Sequence, residues 1–361
     1  MKILEKKKSQ AVPVFRKLNK KSREEGNIMR RGKINFWMVV LTLLGALVIV
    51  AGFPQEGSAQ KKYWRIGTAG SGGTFFYLGS GIANVVTKYV KEVKLTPEAT
   101  GGGIENLRRM YQGNLELALI TPSDMDVVLK DGTGKPDRIS VLSGAHNSVL
   151  HLVARKDTGY KTAKDFYHKR VKVGIGEPGS AVQTVNIAGL KVFDLTVKDV
   201  EAHPISQAEC AEAIKDGIIE GYMGGSGLPL AAVSNVTQSI DAVILPFTED
   251  EIKRFKIDFP YFYGITIPAK TYRGQDKPVY TAGYPSMLMA RSDLDPDLVA
   301  KVIKAIFDHP NEIAQVHPAG KDINIDSAYK GVDYGYSLGF KFHPGMIKHL
   351  KEQKKWDKKF D

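Results

Sequence analysis

Four short segments gather glycine beside serine, threonine or a turn-forming proline. They are Gly70-Ser71-Gly72-Gly73-Thr74, Gly101-Gly102-Gly103, Glu177-Pro178-Gly179-Ser180 and Gly224-Gly225-Ser226-Gly227. Each follows an apolar run with strand character, and each opens or precedes a run with helical spacing. Glycine lets the backbone approach a bound molecule closely and adopt positive φ. The first turn of a helix offers N–H groups that lack intrahelical acceptors, at the positive end of the helix dipole. An anion can bind there without an arginine. Ser71, Thr74, Ser123 and Ser180 add hydroxyl donors near these turns. Any one of these loops is also what a plain tight turn requires. Four of them, two in each half of the chain, point to a shared anion site.

Sharper chemistries fail on particular residues. Gly67 and Gly72 have the spacing of a phosphate-binding P-loop, but Gly73 stands where its lysine belongs. Gly70 and Gly72 begin a dinucleotide fingerprint, and Phe75 ends it. His146 and His151 are five apart on an extended run, which points them to opposite faces. Glu98 and Glu105 flank a glycine turn as capping or solvated groups. His343-Pro344-Gly345 reads as a turn, and no H-E-x-x-H is present. The chain is also read as lacking a nucleophile elbow. The single cysteine, Cys210, excludes an internal disulfide and reads as a small core residue. The expectation is a binding protein without catalytic residues, cofactor or metal.

The elements that must position the four turns repeat a pattern. Strands at 63–68, 94–100 and 116–121 each lead into a helical run, at 75–90, at 104–112 and after 122, with Ser123 or Asp124 as the last helix's cap. The pattern restarts with strands at 171–175, 218–223 and 243–247 and helices at 181–191, 209–215 and from 228. An amphipathic helix is expected at 296–308. Alternating strands and helices predict a parallel α/β architecture. Long extended runs at 139–155 and 284–291 read as two crossings between halves. The aromatic run 259–263 is a candidate cleft wall or core patch. Lysines 348, 351, 354, 355, 358 and 359 read as a solvated helix face or a docking surface.

The formal charge of +12 is misleading. Residues 1–35 hold twelve Lys or Arg against three acids, so the remainder carries only +3. A nucleic-acid partner therefore has no support from charge. Residues 34–53 are uncharged and apolar, with basic residues before them and Gly57-Ser58-Ala59 after. This reads either as a signal peptide cleaved after Ala59 or as an uncleaved anchor. Either one places the following residues outside the cytoplasm.

At these motifs the chain resembles the TAXI family of TRAP-transporter solute receptors. The resemblance runs over about 63–356. It is carried by residues 66–77 (IGTAGSGGTFFY), by Glu98-Ala99-Thr100-Gly101-Gly102 with Glu105-Asn106-Leu107, and by residues 150–155 (LHLVAR). Val173-Gly174-Ile175-Gly176 with Pro178-Gly179-Ser180, Phe259-Pro260-Tyr261-Phe262, Ile267-Pro268-Ala269 and His343-Pro344-Gly345 extend it. The resemblance implies a two-lobed type II periplasmic-binding fold, mainly parallel sheets with helices on both faces, and a ligand cleft between lobes. It divides the chain into a basic extension (1–28), a signal peptide or anchor (29–59), a first part of lobe I (60–150), lobe II (151–283) and a return to lobe I (284–361). The implied ligand is a small carboxylate, such as glutamate, 2-oxoglutarate or a dicarboxylate. The implied partners are the membrane subunits of an ion-driven transporter, served by a monomeric receptor. Carried over residue by residue, Thr68, Gly70, Ser71, Gly72, Thr74, Tyr77, Gly101, Gly102 and Ser123 would form one wall. Gly179, Ser180, Gln183, Gly224 and Gly225 would face them. The chain departs from the family at Ala181-Val182-Gln183 and at the 224–227 turn, which puts the solute's polarity in question. A membrane-anchored ligand sensor and an enzyme on the same fold are the rival readings. Trp64, beside the first glycine turn, is a candidate reporter of closure.

Overall fold

The computed structural model describes residues 61–361; the expected leader lies outside them. Ten strands form one curled mixed sheet: β1 (Lys62–Gly67), β2 (Val93–Glu98), β3 (Leu117–Ile120), β4 (Ile139–Arg155), β5 (Lys172–Gly174), β6 (Glu201–His203), β7 (Gly221–Ser226), β8 (Ala242–Leu245), β9 (Tyr263–Ile267) and β10 (Val279–Arg291). Parallel pairing holds at the two flanks, β2-β1-β3 on one side and β6-β5-β7 on the other. The joins through β4 and β10 are antiparallel, so the sheet is mixed rather than mainly parallel. The reason is the double crossing: β10 returns alongside β4 in the opposite direction.

The helices that matter below are α1 (Thr74–Tyr89), α2 (Gly103–Tyr111), α3 (Pro122–Lys130), α4 (Ala181–Val192), α5 (Gln207–Lys215), α6 (Ala231–Ser239), α7 (Glu249–Asp258), α8 (Pro296–Asp308), α9 (Pro310–Val316), α10 (Val332–Ser337) and α11 (Pro344–Glu352). In α1 the residues Phe75, Leu78, Ile82, Val85 and Val86 are all buried, as their spacing requires. Helix α8 starts on Asp295, whose carboxylate accepts from the Leu298 N–H at 2.8 Å, with Pro296 in the first turn.

The apolar cores separate the chain into two lobes. One cluster joins residues between Trp64 and Ala145 to residues between Met287 and Phe360. Two further clusters occupy the segment from Val149 to Tyr284. The division falls where β4 and β10 cross, at Asn147 opposite Pro285, beside a break in their register. Among the described residues no helix is long and apolar enough to cross a membrane.

Local differences from the sequence reading have physical causes. Helix α3 is capped by Thr121, not by Ser123 or Asp124; Asp124 instead accepts from the Thr121 N–H at 2.6 Å and closes a capping box. Strand β7 runs three residues beyond its expected end, because Gly224, Gly225 and Ser226 pair with β4. Glycine there admits its neighbours: a Cβ on Gly224 would lie 2.6 Å from Gln207 Oε1. In the aromatic run, Phe259 and Phe262 pack into the lobe II core, and the Tyr261 ring meets Tyr334 of lobe I at 4.8 Å.

One tight contact makes a stability prediction. A Cβ at Gly103 would collide with the Asp124 carboxylate, which Thr121 holds in place. Gly103→Ala is expected to cost about 2 kcal/mol, in the range of overpacked cores. Urea unfolding checks it; an unchanged midpoint would mean that the two loops can part without cost.

Candidate functional site

Five helix starts converge on one interlobe cavity of about 290 Å³. From lobe I come the starts of α1 (Ala69 to Phe75), α2 (Gly101 to Gly103) and α3 (Thr121). From lobe II come the starts of α4 (Ser180 to Val182) and α5 (Ser206 to Glu209). Gly176 and Glu177, from the loop after β5, Gly225 and Ser226 of β7, Ser148 of β4 and Tyr284 of β10 complete the lining. All five helices have at least nine residues, so each presents a full positive terminus. Ser180 and Ser206 cap their own helices, accepting from Gln183 N at 3.1 Å and Glu209 N at 3.3 Å. Among the described residues, no Lys, Arg or His lines the cavity.

The lobes touch across the cleft. The Thr74 N–H donates to Ser226 Oγ at 2.8 Å. A Cβ on Gly72 would lie 2.8 Å from the Ala208 backbone nitrogen, and one on Gly102 would lie 3.8 Å from Ser180 Cβ. His317 Nδ1 accepts from the Ala319 N–H, so its proton sits on Nε2, which reaches the Pro229 carbonyl of lobe II at 3.0 Å. The cleft is therefore closed, and the glycines are what let the two backbones approach.

Eight of the fourteen residues singled out from sequence line this cavity: Gly70, Ser71, Gly72, Thr74, Gly101, Gly102, Ser180 and Gly225. Six do not. Thr68 is buried beneath the first turn, with its hydroxyl donating to the Glu98 carbonyl at 2.8 Å. Tyr77 stacks on His317, with ring centres 6.1 Å apart, and Ser123 lies behind Thr121, oxygen to oxygen 2.8 Å. Gly179 is an exposed turn residue whose N–H holds the Gln183 side chain at 3.2 Å. Gly224 packs inside β7 against Gln207 and Leu230. The second helix start from lobe II is not the 224–227 turn, which continues β7, but Ser206 to Glu209. The S-x-x-E spacing of Ser206 and Glu209 is a capping-box signature, visible in the chain before folding. Thr121 with Asp124 carries the same signal.

Other candidates find structural roles. His146 and His151 are buried apart; His151 Nδ1 donates to the Val149 carbonyl at 2.9 Å, and Nε2 accepts from the Tyr272 hydroxyl at 2.8 Å. Among the described residues no cluster of His, Cys, Asp and Glu could hold a metal ion. The spacing G-x-S-x-G does occur, at Gly335-Tyr336-Ser337-Leu338-Gly339, against the expectation of none. Ser337 ends α10 and donates to the Tyr334 carbonyl at 2.7 Å, so it stands on no strand-to-helix elbow. Lys348, Lys355 and Lys359 pair with Asp297, Asp326 and Asp333 on the surface. Trp64 is buried in the lobe I core at 5% exposure and is not in the cavity wall, so it is a poor closure reporter.

A family model described as the NMT1-like family matches residues 66–353. The chain belongs to the NMT1-like family. Solved structures resemble this NMT1-like chain distantly. The periplasmic aliphatic sulphonate binding protein of Escherichia coli is 13% identical, covers 81% of this chain and 83% of its own, and has a TM-score of 0.44. A Prochlorococcus marinus protein solved with methylphosphonate is 11% identical, covers 82% and 99%, and has a TM-score of 0.47. Likenesses this weak carry no argument about the solute.

Proposed function

We propose that this chain is an extracytoplasmic solute receptor that closes its two lobes around a small carboxylate and delivers it to the membrane subunits of a TRAP-type transporter. The observation that carries the reading is the convergence of five helix starts, three from one lobe and two from the other, on a cavity without a cationic side chain. Amide donors and hydroxyls from both lobes would hold the anion, in a closed site where low polarity strengthens each contact. A volume of about 290 Å³ suits a metabolite the size of glutamate, 2-oxoglutarate or a C4 dicarboxylate. Delivery to TRAP-type subunits rests on the resemblance to the TAXI receptors. The residues at the closing contacts support a hinge motion about the β4 and β10 crossings.

Mass spectrometry of solute carried through purification, followed by calorimetric titration, tests the reading. A small carboxylate with micromolar or tighter affinity is expected, about −8 kcal/mol or better. Recovery of an uncharged solute, with no heat from any carboxylate, would refute it.

A further inference from the structure

We propose that the solute carries a protonated amine beside its carboxylate, and that Glu177 is the residue that selects the amine. This rests on the reading of the cavity as a carboxylate site and narrows it. Glu177 follows β5 in lobe II and is half-buried in the cavity wall. Its Oε1 lies 3.8 Å from the place a Cβ on Gly70 of lobe I would occupy, so the carboxylate reaches across the cleft. The neighbouring carboxylates are engaged elsewhere. Glu209 Oε2 accepts from the Ser206 N–H and hydroxyl, both at 2.8 Å. Glu105 accepts from the Gly101 N–H at 2.8 Å and lies 3.6 Å from Arg109.

Of the three, only the Glu177 carboxylate has no hydrogen-bond or ion-pair partner among the described residues; the Glu177 carbonyl accepts from Ser180. Burial raises its pKa, and the charges of Glu209 and Glu105 raise it further. A carboxylate enclosed by lobe closure without a partner is costly, and an ammonium group on the solute removes that cost through a charge-assisted contact. The solute's own carboxylate goes to the helix starts. A solute that lacks the amine brings no cation to Glu177 and leaves its carboxylate unpaired in the closed cleft.

Titration calorimetry with L-glutamate and L-aspartate against 2-oxoglutarate and succinate decides the matter. In the wild-type protein at least one amino acid is expected to bind at least tenfold more tightly than its amine-free counterpart. Glu177→Gln should weaken that amino acid at least tenfold and leave 2-oxoglutarate and succinate unchanged or tighter. Glu177→Asp, which keeps the charge on a shorter arm, should fall between. The melting temperature of each ligand-free variant should match the wild type, which separates lost recognition from lost fold. Equal binding of both sets, unmoved by Glu177→Gln, overturns the amine assignment and leaves the carboxylate reading standing. Absence of binding by all four overturns both.

Discussion

Gly72→Val is expected to lower solute affinity at least 100-fold while leaving the ligand-free protein as stable as the wild type. The first Cβ at this position would stand 2.8 Å from the backbone nitrogen of Ala208 and 3.2 Å from its Cα. Those atoms belong to the start of α5 in the opposite lobe, and backbone cannot swing aside as a side chain can. Two further methyl groups deepen the clash. With the lobes apart the valine meets nothing of lobe II, so the cost falls on the closed state alone. A hundredfold loss corresponds to about 2.7 kcal/mol, within the overpacking range of roughly 1–3 kcal/mol. Calorimetry on the co-purified solute measures the affinity, and thermal unfolding without solute measures the stability. A variant that binds normally would show that closure does not bring the first glycine turn against α5.

A steep loss of stability between pH 6.5 and pH 5 is the second expectation. Among the described residues burial holds five imidazoles below their usual pKa, and three of them far below: His146 to about 3, His151 to about 4 and His343 to about 4. They stay neutral in the folded protein but take up protons in the unfolded chain below about 6.5. Their stabilising contribution is complete above pH 6.5 and is lost as pH falls toward their folded values. Each costs about 1.4 kcal/mol per pH unit in that window. Asp124 acts in the opposite sense. Burial raises its carboxyl pKa to about 7, against the donors from Thr121, so it favours folding as pH falls from about 7 toward 4. The four groups displaced furthest in this window, three against one, leave a slope of about 2.7 kcal/mol per unit; His317 and His349, lowered by burial, add to it, and Asp126 and Glu177, raised by burial, oppose it. That is a large share of the roughly 5–15 kcal/mol that holds a typical domain folded. Urea unfolding at pH 7.5, 6.0 and 5.0 should trace the slope, and His151→Gln should make it shallower by one group. A profile flat from pH 7.5 to 5.0 would mean that these imidazoles are hydrated in the folded state.

The strand and helix pattern was largely legible because it is written in local spacing. The extended run 139–155 coincides with β4, and the amphipathic run 296–308 with α8. Elements made by pairing rather than by pattern were missed. Strand β6 is three residues long and exists because β5 lies beside it, and β9 is ordered by its ladder with β10. Helix α7 was also missed, although Thr248 and Glu251 spell out a capping box. Eight of the fourteen expected wall residues line the cavity and six lie elsewhere, for a similar reason. A glycine turn announces a helix start wherever it falls, but whether it faces the cleft depends on the register with which the sheet delivers it.

Residue types and spacing alone determined that the chain is α/β, that glycine-flanked helix starts are its chemically capable features, and that its glycine turns spell out neither a P-loop nor a dinucleotide fingerprint. These follow from local rules, the period of the apolar residues and the demands of tight turns. Tertiary structure decided which starts meet, that Ser206 to Glu209 supplies a helix start where the 224–227 turn supplies strand residues, and that a Glu177 carboxylate without a partner among the described residues shares their cavity. Those outcomes depend on two long strands crossing between lobes and bringing together residues more than a hundred positions apart. No local spacing encodes such a meeting.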